Sequence, residues 1–141
     1  MFFISPSPIE VIAQQTSSEA GAVVIFEGVV RNHNEGRAVL SLEYEAMESL
    51  ATKEGSRIIE EALEKFDVHS ADCIHRVGHL QIGDIAVRVV VSASHRKDAF
   101  AACQYIIDEV KSRVPIWKKE HYENGSSAWI GSESWAKAAA P

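Results

Sequence analysis

Two runs constrain this chain more than anything else in it: AVVIFEGVV at residues 22–30 and IAVRVVVSAS at residues 85–94. Both are almost wholly apolar and rich in β-branched side chains, so they read as central, buried strands. Strands of that kind need a sheet with cover on it, and two helical periodicities supply the cover. Met47, Leu50, Ala51, Ile58, Ala62 and Phe66 recur at helical spacing, which predicts a long amphipathic helix slightly weakened by Gly55. A second helix is expected from about Lys97 to Val114, with Phe100, Cys103, Ile107 and Val110 as its core stripe and Pro115 as its stop.

The remaining segments fill in an alternation of strands around these helices. Residues 2–5 read as a short strand. Ser7 then reads as the N-cap of a helix, with Pro8 at its first position, Glu10 completing a capping box, and Ile9, Ile12 and Ala13 on its buried face. RNHNEGR, residues 31–37, reads as a loop. Leu40, Leu42, Tyr44 and Ala46 alternate with Ser41, Glu43 and Glu45, the period of a strand with one wet face. Residues 73–77 make a short strand, QIGD a turn, and Glu123-Asn124-Gly125 joins residues 116–122 and 126–130 into a hairpin. The expected architecture is an α+β domain, residues 1–141 as one unit, with helices on a largely antiparallel sheet and a C-terminal β-hairpin.

Charge excludes some functions. Acidic side chains outnumber Lys plus Arg by 20 to 14, for a net charge of −6, which argues against a general nucleic-acid binder. No stretch approaches the ~20 apolar residues that span a bilayer, and the opening MFFISPSPIE lacks a secretory pattern. Cys73 and Cys103 sit in apolar surroundings, as reduced core thiols of a cytoplasmic protein would.

Against that acidic background three cationic clusters fall at element ends. Arg31-Asn32-His33-Asn34 follows one buried strand, Ser94-His95-Arg96 joins the other to a helix N-terminus that favours anions, and KSRVPIWKKE gathers Lys111, Arg113, Lys118 and Lys119 around a Pro and a Trp. Each has a plain alternative. Lys111 and Arg113 suit the last turn of a helix, Lys118 and Lys119 suit the guard of an edge hairpin, and Arg31 can simply pair with a carboxylate. His75 and His79 have i, i+4 spacing, but no helix and no Cys or carboxylate completes a zinc set, so they read as structural. Trp117 and Trp129 read as packing, and neither cysteine has the company of a nucleophile.

The motifs GAVVIFEGVVRNHNEG, LEYEAM, HRVGHLQIGD, SASHRKDAF and KSRVPIWKKE, with the W-I pair that follows, resemble the large, catalytic subunit of molybdopterin synthase (the MoaE family) from about Gly21 to Ile130. The resemblance implies an α/β hammerhead fold and an enzyme of molybdenum cofactor biosynthesis. Such an enzyme converts cyclic pyranopterin monophosphate into molybdopterin by adding the two sulfurs of the dithiolene. It also implies partners: a small ubiquitin-like subunit (MoaD type) whose C-terminal Gly-Gly thiocarboxylate supplies the sulfur, and a second large subunit, together a heterotetramer around a homodimer. Substrate-binding positions fall on Val29, Val30, Arg31, His95, Arg96, Lys111, Lys118, Lys119 and Glu120, with Lys111 and Lys118 as the catalytic pair. No metal or organic cofactor is implied for the sulfur transfer. Two anions, a phosphate and a thiocarboxylate, must then lie close together, and their repulsion calls for cations. Rival readings are a non-catalytic module that binds a phosphorylated ligand or the partner's tail, and a small acyl-transfer or phosphate-hydrolysing enzyme built on Arg31 and Asn32.

Overall fold

Residues 1–11 and 16–130 are described by a computed structural model. In chain order the elements are β1 (Phe2–Ser5), β2 (Ala22–Val29), β3 (His33–Asn34), β4 (Arg37–Ala46), α1 (Glu48–Lys65), β5 (Ser70–Arg76), β6 (Gly78–Gln81), β7 (Ile85–Ala93), α2 (Arg96–Arg113), β8 (Ile116–Tyr122) and β9 (Ser127–Ile130).

The two apolar runs pair with each other. β2 lies antiparallel to β7, with Phe26 opposite Val89, and β7 pairs on its other side with β5. The resulting sheet runs β1-β5-β7-β2, and only β1 and β5 are parallel. β7 is therefore the central strand, buried along almost its whole length. β2 is not central as its composition suggested: it is an edge strand, and its burial alternates. Val24 and Phe26 pack on the core, whereas Val23 and Ile25 are 43% and 46% exposed. An apolar run shows that a strand can be covered on both faces, not that it is.

Both helices pack on one face of this sheet around Ile58, Val89, Val91 and Ile106. α1 turns Ala51, Gly55, Ile58, Ile59 and Ala62 inward, while Met47 and Leu50, expected in the stripe, lie outside it. In α2 the buried stripe is Ala99, Ala102, Cys103, Ile106, Ile107 and Val110. Phe100, expected in the core, is 61% exposed because the stripe is centred on Ala99 and Cys103 and leaves it on the rim near the helix start. Gly55 does more than weaken a helix: a Cβ there would overlap the ring of Phe2, so the absent side chain is what seats β1 against α1.

A second sheet, β3-β4-β8-β9 with β6 on the other side of β4, encloses a smaller core of Val30, Val39, Leu42, Leu80, Ala86 and Tyr122. β3 lies within the stretch whose composition predicts a loop. It is a hairpin arm closed by Glu35 and Gly36, both at positive φ (49° and 77°), the twist that a two-residue hairpin turn needs. β6 is too short to announce itself by alternation. The C-terminal hairpin forms as its Asn-Gly signal predicts. At the N-terminus residues 8–11 are not helical, and Ser7 donates its N–H to Ser5 Oγ instead of capping; Ile12 and Ala13 lie outside the described residues.

The helices are tied by Arg113, which bonds Glu54, Glu61 and Glu109 at 2.7–3.4 Å. Its role is thus a cross-helix ion network rather than dipole compensation. Hydrogen bonds from Arg113 and then from Tyr105 hold the Glu61 carboxyl down from its ordinary 4.5 to about 2. A depressed carboxylate stabilises the fold fully above its unfolded pKa and loses that contribution as pH falls through its folded one. Acid unfolding followed by circular dichroism should therefore show stability lost between about pH 4.5 and 2. Arg113→Met should cost about 2 kcal/mol at pH 7 and flatten that acid dependence. An unchanged acid profile would contradict the network's role.

Candidate functional site

A cleft of about 520 Å³ opens between the two sheets beside the C-terminal end of α2. Its walls come from the end of β2 (Val29, Val30), Arg31, Leu42 and Tyr44 of β4, His75 of β5, Lys111 of α2, and Lys118 and Glu120 of β8. The end of β2 is held in place by a register shift between Gly28 and Val29. Beyond that bulge Val30 donates to the Asp84 carbonyl at 3.0 Å and accepts from Gly83 N–H at 2.8 Å. The bulge re-aims the strand so that Arg31 leaves it at the cleft.

A buried carboxylate organises the floor. Glu120 is 3% exposed; its Oε1 accepts from Asn34 Nδ2 and from Tyr122 O–H, both at 3.0 Å, and its Oε2 lies 3.9 Å from Lys118 Nζ. Buried charge is tolerated when donors meet it, and here they also fix the strand that carries Lys118. Asn34 Oδ1 in turn accepts from Arg31 Nη2 at 3.1 Å, so a line of hydrogen bonds runs from Arg31 through Asn34 to Glu120, and an ion pair continues it to Lys118. Ion pairs among the described residues engage Arg57, Arg76, Arg88, Arg113 and Lys118; Arg31 and Lys111 are in none of them. Two cations on one cleft without carboxylate partners make a site for anions.

His75 was read as structural, and its ring does stack edge-on against Tyr44, with centroids 5.0 Å apart. It is also part of the cleft wall. Burial first, then the Lys111 charge, pushes it down to about 4 against the opposing pull of the Arg76 carbonyl. It is therefore neutral at pH 7, with Nδ1–H donating to that carbonyl at 2.8 Å. Burial, reinforced by Glu120, pushes the Tyr44 hydroxyl up to about 12, so it stays protonated. Cys73 is pushed up to about 12 and Cys103 upward, in both cases by burial, so neither offers a thiolate.

Three expected site residues do not line this cleft. Lys119 is not a cleft residue: strand alternation turns it to the opposite face of β8, where its ammonium sits 5.4 Å from the Trp129 ring centroid. Trp129, expected as packing, is 50% exposed there. His95 and Arg96 begin α2, whereas Lys111 ends it. At 1.5 Å per residue the separation is about 22 Å, and neither His95 nor Arg96 lines the cleft of its own chain. Asn34, Tyr44 and His75 were not singled out as site residues. The sequence signal is weak: Asn34 stands in the polar stretch after an apolar strand, and His75 follows Cys73-Ile74 at the end of a short one.

His79 lies on β6, away from His75, and is 54% exposed beside Glu43. The carboxylate that the spacing of the two histidines did not reveal is thus brought in by strand pairing, together with His121.

The family model for "MoaE protein" matches residues 4–113. The molybdopterin synthase catalytic subunit of Pyrococcus abyssi is 50% identical over 121 residues, covering 86% of this chain and 81% of that protein. The protein of the same description from Bacillus subtilis is 42% identical over 135 residues, covering 94% and 85%. The crystal structure of molybdopterin synthase from Staphylococcus aureus superposes with a TM-score of 0.82 at 41% identity, covering 91% of this chain and 95% of that one.

Proposed function

The chain belongs to the MoaE protein family, and from that premise we propose that it is the sulfur-transferring, catalytic half of a molybdopterin synthase. It takes sulfur from the thiocarboxylated C-terminus of a small ubiquitin-like subunit and adds it to cyclic pyranopterin monophosphate, forming the dithiolene of molybdopterin. The observation that carries this reading is the convergence of Arg31, Lys111 and Lys118 on one cleft from a strand end, a helix end and a hairpin.

The chemistry divides among them. Arg31, steadied by Asn34, presents a planar donor fork suited to the substrate phosphate. Lys111 has no carboxylate to neutralise it among the described residues and meets the thiocarboxylate as a compact ammonium. Its flexible stem and three donors let it hold the tail's sulfur against the pterin; once that sulfur is bonded to the pterin, water cleaves the acyl–sulfur bond, the tail leaves as a carboxylate, and Lys111 relays the proton. Lys118, held near Glu120, keeps a second positive charge beside the first and moderates the repulsion of the two anions. Val29 and Val30 furnish the apolar side of the binding surface. The buried, protonated thiols of Cys73 and Cys103 leave the transfer to the tail's own sulfur. Such a biosynthetic enzyme acts in the cytoplasm; no helix among the described residues is long and apolar enough to cross a membrane.

His95 and Arg96 serve substrate only across a homodimer, because the length of α2 separates them from their own cleft. Reconstitution of the purified chain with thiocarboxylated partner and precursor tests the whole reading: dithiolene product is expected, and its absence would sink it. The shared site has a sharper test. Arg96→Ala and Lys111→Ala should each be inactive alone, yet an equal mixture, refolded together, should recover roughly a quarter of the parent rate, since half the dimers then hold one intact site. A mixture as inactive as its components would mean that Arg96 does not act across the dimer.

A further inference from the structure

We propose that Glu43, His79 and His121 form a binding site for one divalent transition-metal ion, of the kind Zn²⁺ represents, on the face of the second sheet turned away from the cleft. β4 lies between β6 and β8, with His79 directly opposite Glu43 in one pairing and His121 opposite Ser41, a diagonal neighbour of Glu43, in the other. Alternation puts all of them on the outer face, while Leu42 and Glu120 turn inward. Three strands thus deliver two imidazoles and one carboxylate to a single point.

The spacing suits coordination. Glu43 Oε1 lies 3.1 Å from His121 Nε2 and 3.7 Å from His79 Nδ1, and all three candidate ligand atoms lie within 4.8 Å of one another. In a tetrahedral zinc site, with bonds of about 2.0–2.1 Å, ligand atoms lie about 3.3 Å apart. Two edges already straddle that value, and the third closes by rotation of His79, the most exposed of the set. Two histidines with one carboxylate are a donor set that borderline ions prefer over Mg²⁺ or Ca²⁺, and three ligands leave positions open for water. The charge nearby is mixed: Lys119, opposite Glu43 on β8, opposes a cation, and its ammonium is drawn aside over Trp129. The ion would clamp β6 and β8 to β4 directly behind the strand that carries Lys118 and Glu120.

The test uses the full chain stripped with a chelator and titrated with Zn²⁺ by calorimetry and with Co²⁺ by visible absorption. One ion per chain is expected at micromolar affinity, with a Co²⁺ spectrum of low coordination number and a raised unfolding midpoint. His79→Ala, His121→Ala and Glu43→Gln should each weaken binding at least about tenfold, and Lys119→Met should strengthen it. His33→Ala and His69→Ala should change nothing. Absence of binding at high micromolar free Zn²⁺, or affinity that survives His79→Ala, would overturn the site; His79 is exposed enough that its loss does not endanger folding.

Discussion

Lys111→Ala is expected to lower the rate of dithiolene formation at least about hundred-fold, the scale on which a single preorganised charge contributes to a transition state. Binding of the small subunit should persist, because docking uses surface beyond one side chain, and the precursor should still bind through Arg31. Lys111→Arg should recover little: it restores the charge, but a guanidinium is bulkier, does not give up a proton near neutral pH and directs its donors in a plane. Single-turnover measurement with preloaded thiocarboxylate separates the alternatives. A rate loss with both ligands bound places Lys111 at the reacting atoms and excludes a module that merely binds or scaffolds. An unchanged rate would remove Lys111 from the chemistry, and equal loss of binding and rate would favour the scaffold.

Gly55→Ala should destabilise the protein by about 3 kcal/mol, opposite in sign to the ~1 kcal/mol gain that Gly to Ala gives at an unencumbered helix position. The new methyl would occupy the space of the Phe2 ring, which is 4% exposed and part of the main core. Either the ring leaves its slot, with a cost approaching that of deleting a buried aromatic, or α1 moves off the sheet. In a Phe2→Ala background the same substitution should become neutral or stabilising, since the clash is gone and helix propensity remains. Urea denaturation of the four chains measures the coupling. Additive effects would mean that Gly55 and Phe2 do not meet.

How much of this was legible beforehand follows from the range of each signal. The long periodic helices and the hairpin at Asn124-Gly125 were legible because their causes are local: amphipathic spacing, a proline stop, a turn needing positive φ. β3 and β6, two and four residues long, exist because β4 offers them partners, which no local window contains. The edge position of β2 likewise depends on which strands pair, which its own composition does not contain. Of the site, the cationic character of Arg31, Lys111 and Lys118 stood out as residue type at element ends, whereas Lys119 was carried along by adjacency until alternation separated it from Lys118.

By itself, the order of residues determined what each segment can be: which stretches are strand or helix, which face is apolar, and which cations the chain keeps at its turns. Those outcomes depend on neighbours within a few positions, where steric preference and periodicity act. Only the tertiary structure decided which segments meet. It gathered Asn34 and Glu120, 86 residues apart, into the hydrogen-bonded floor of the cleft, left His95 and Arg96 at the far end of α2, and set Glu43 between two histidines on different strands. Contacts of that kind are selected by burial of the whole sheet and by its register, and the energy that selects them is a property of the assembled core rather than of any local run.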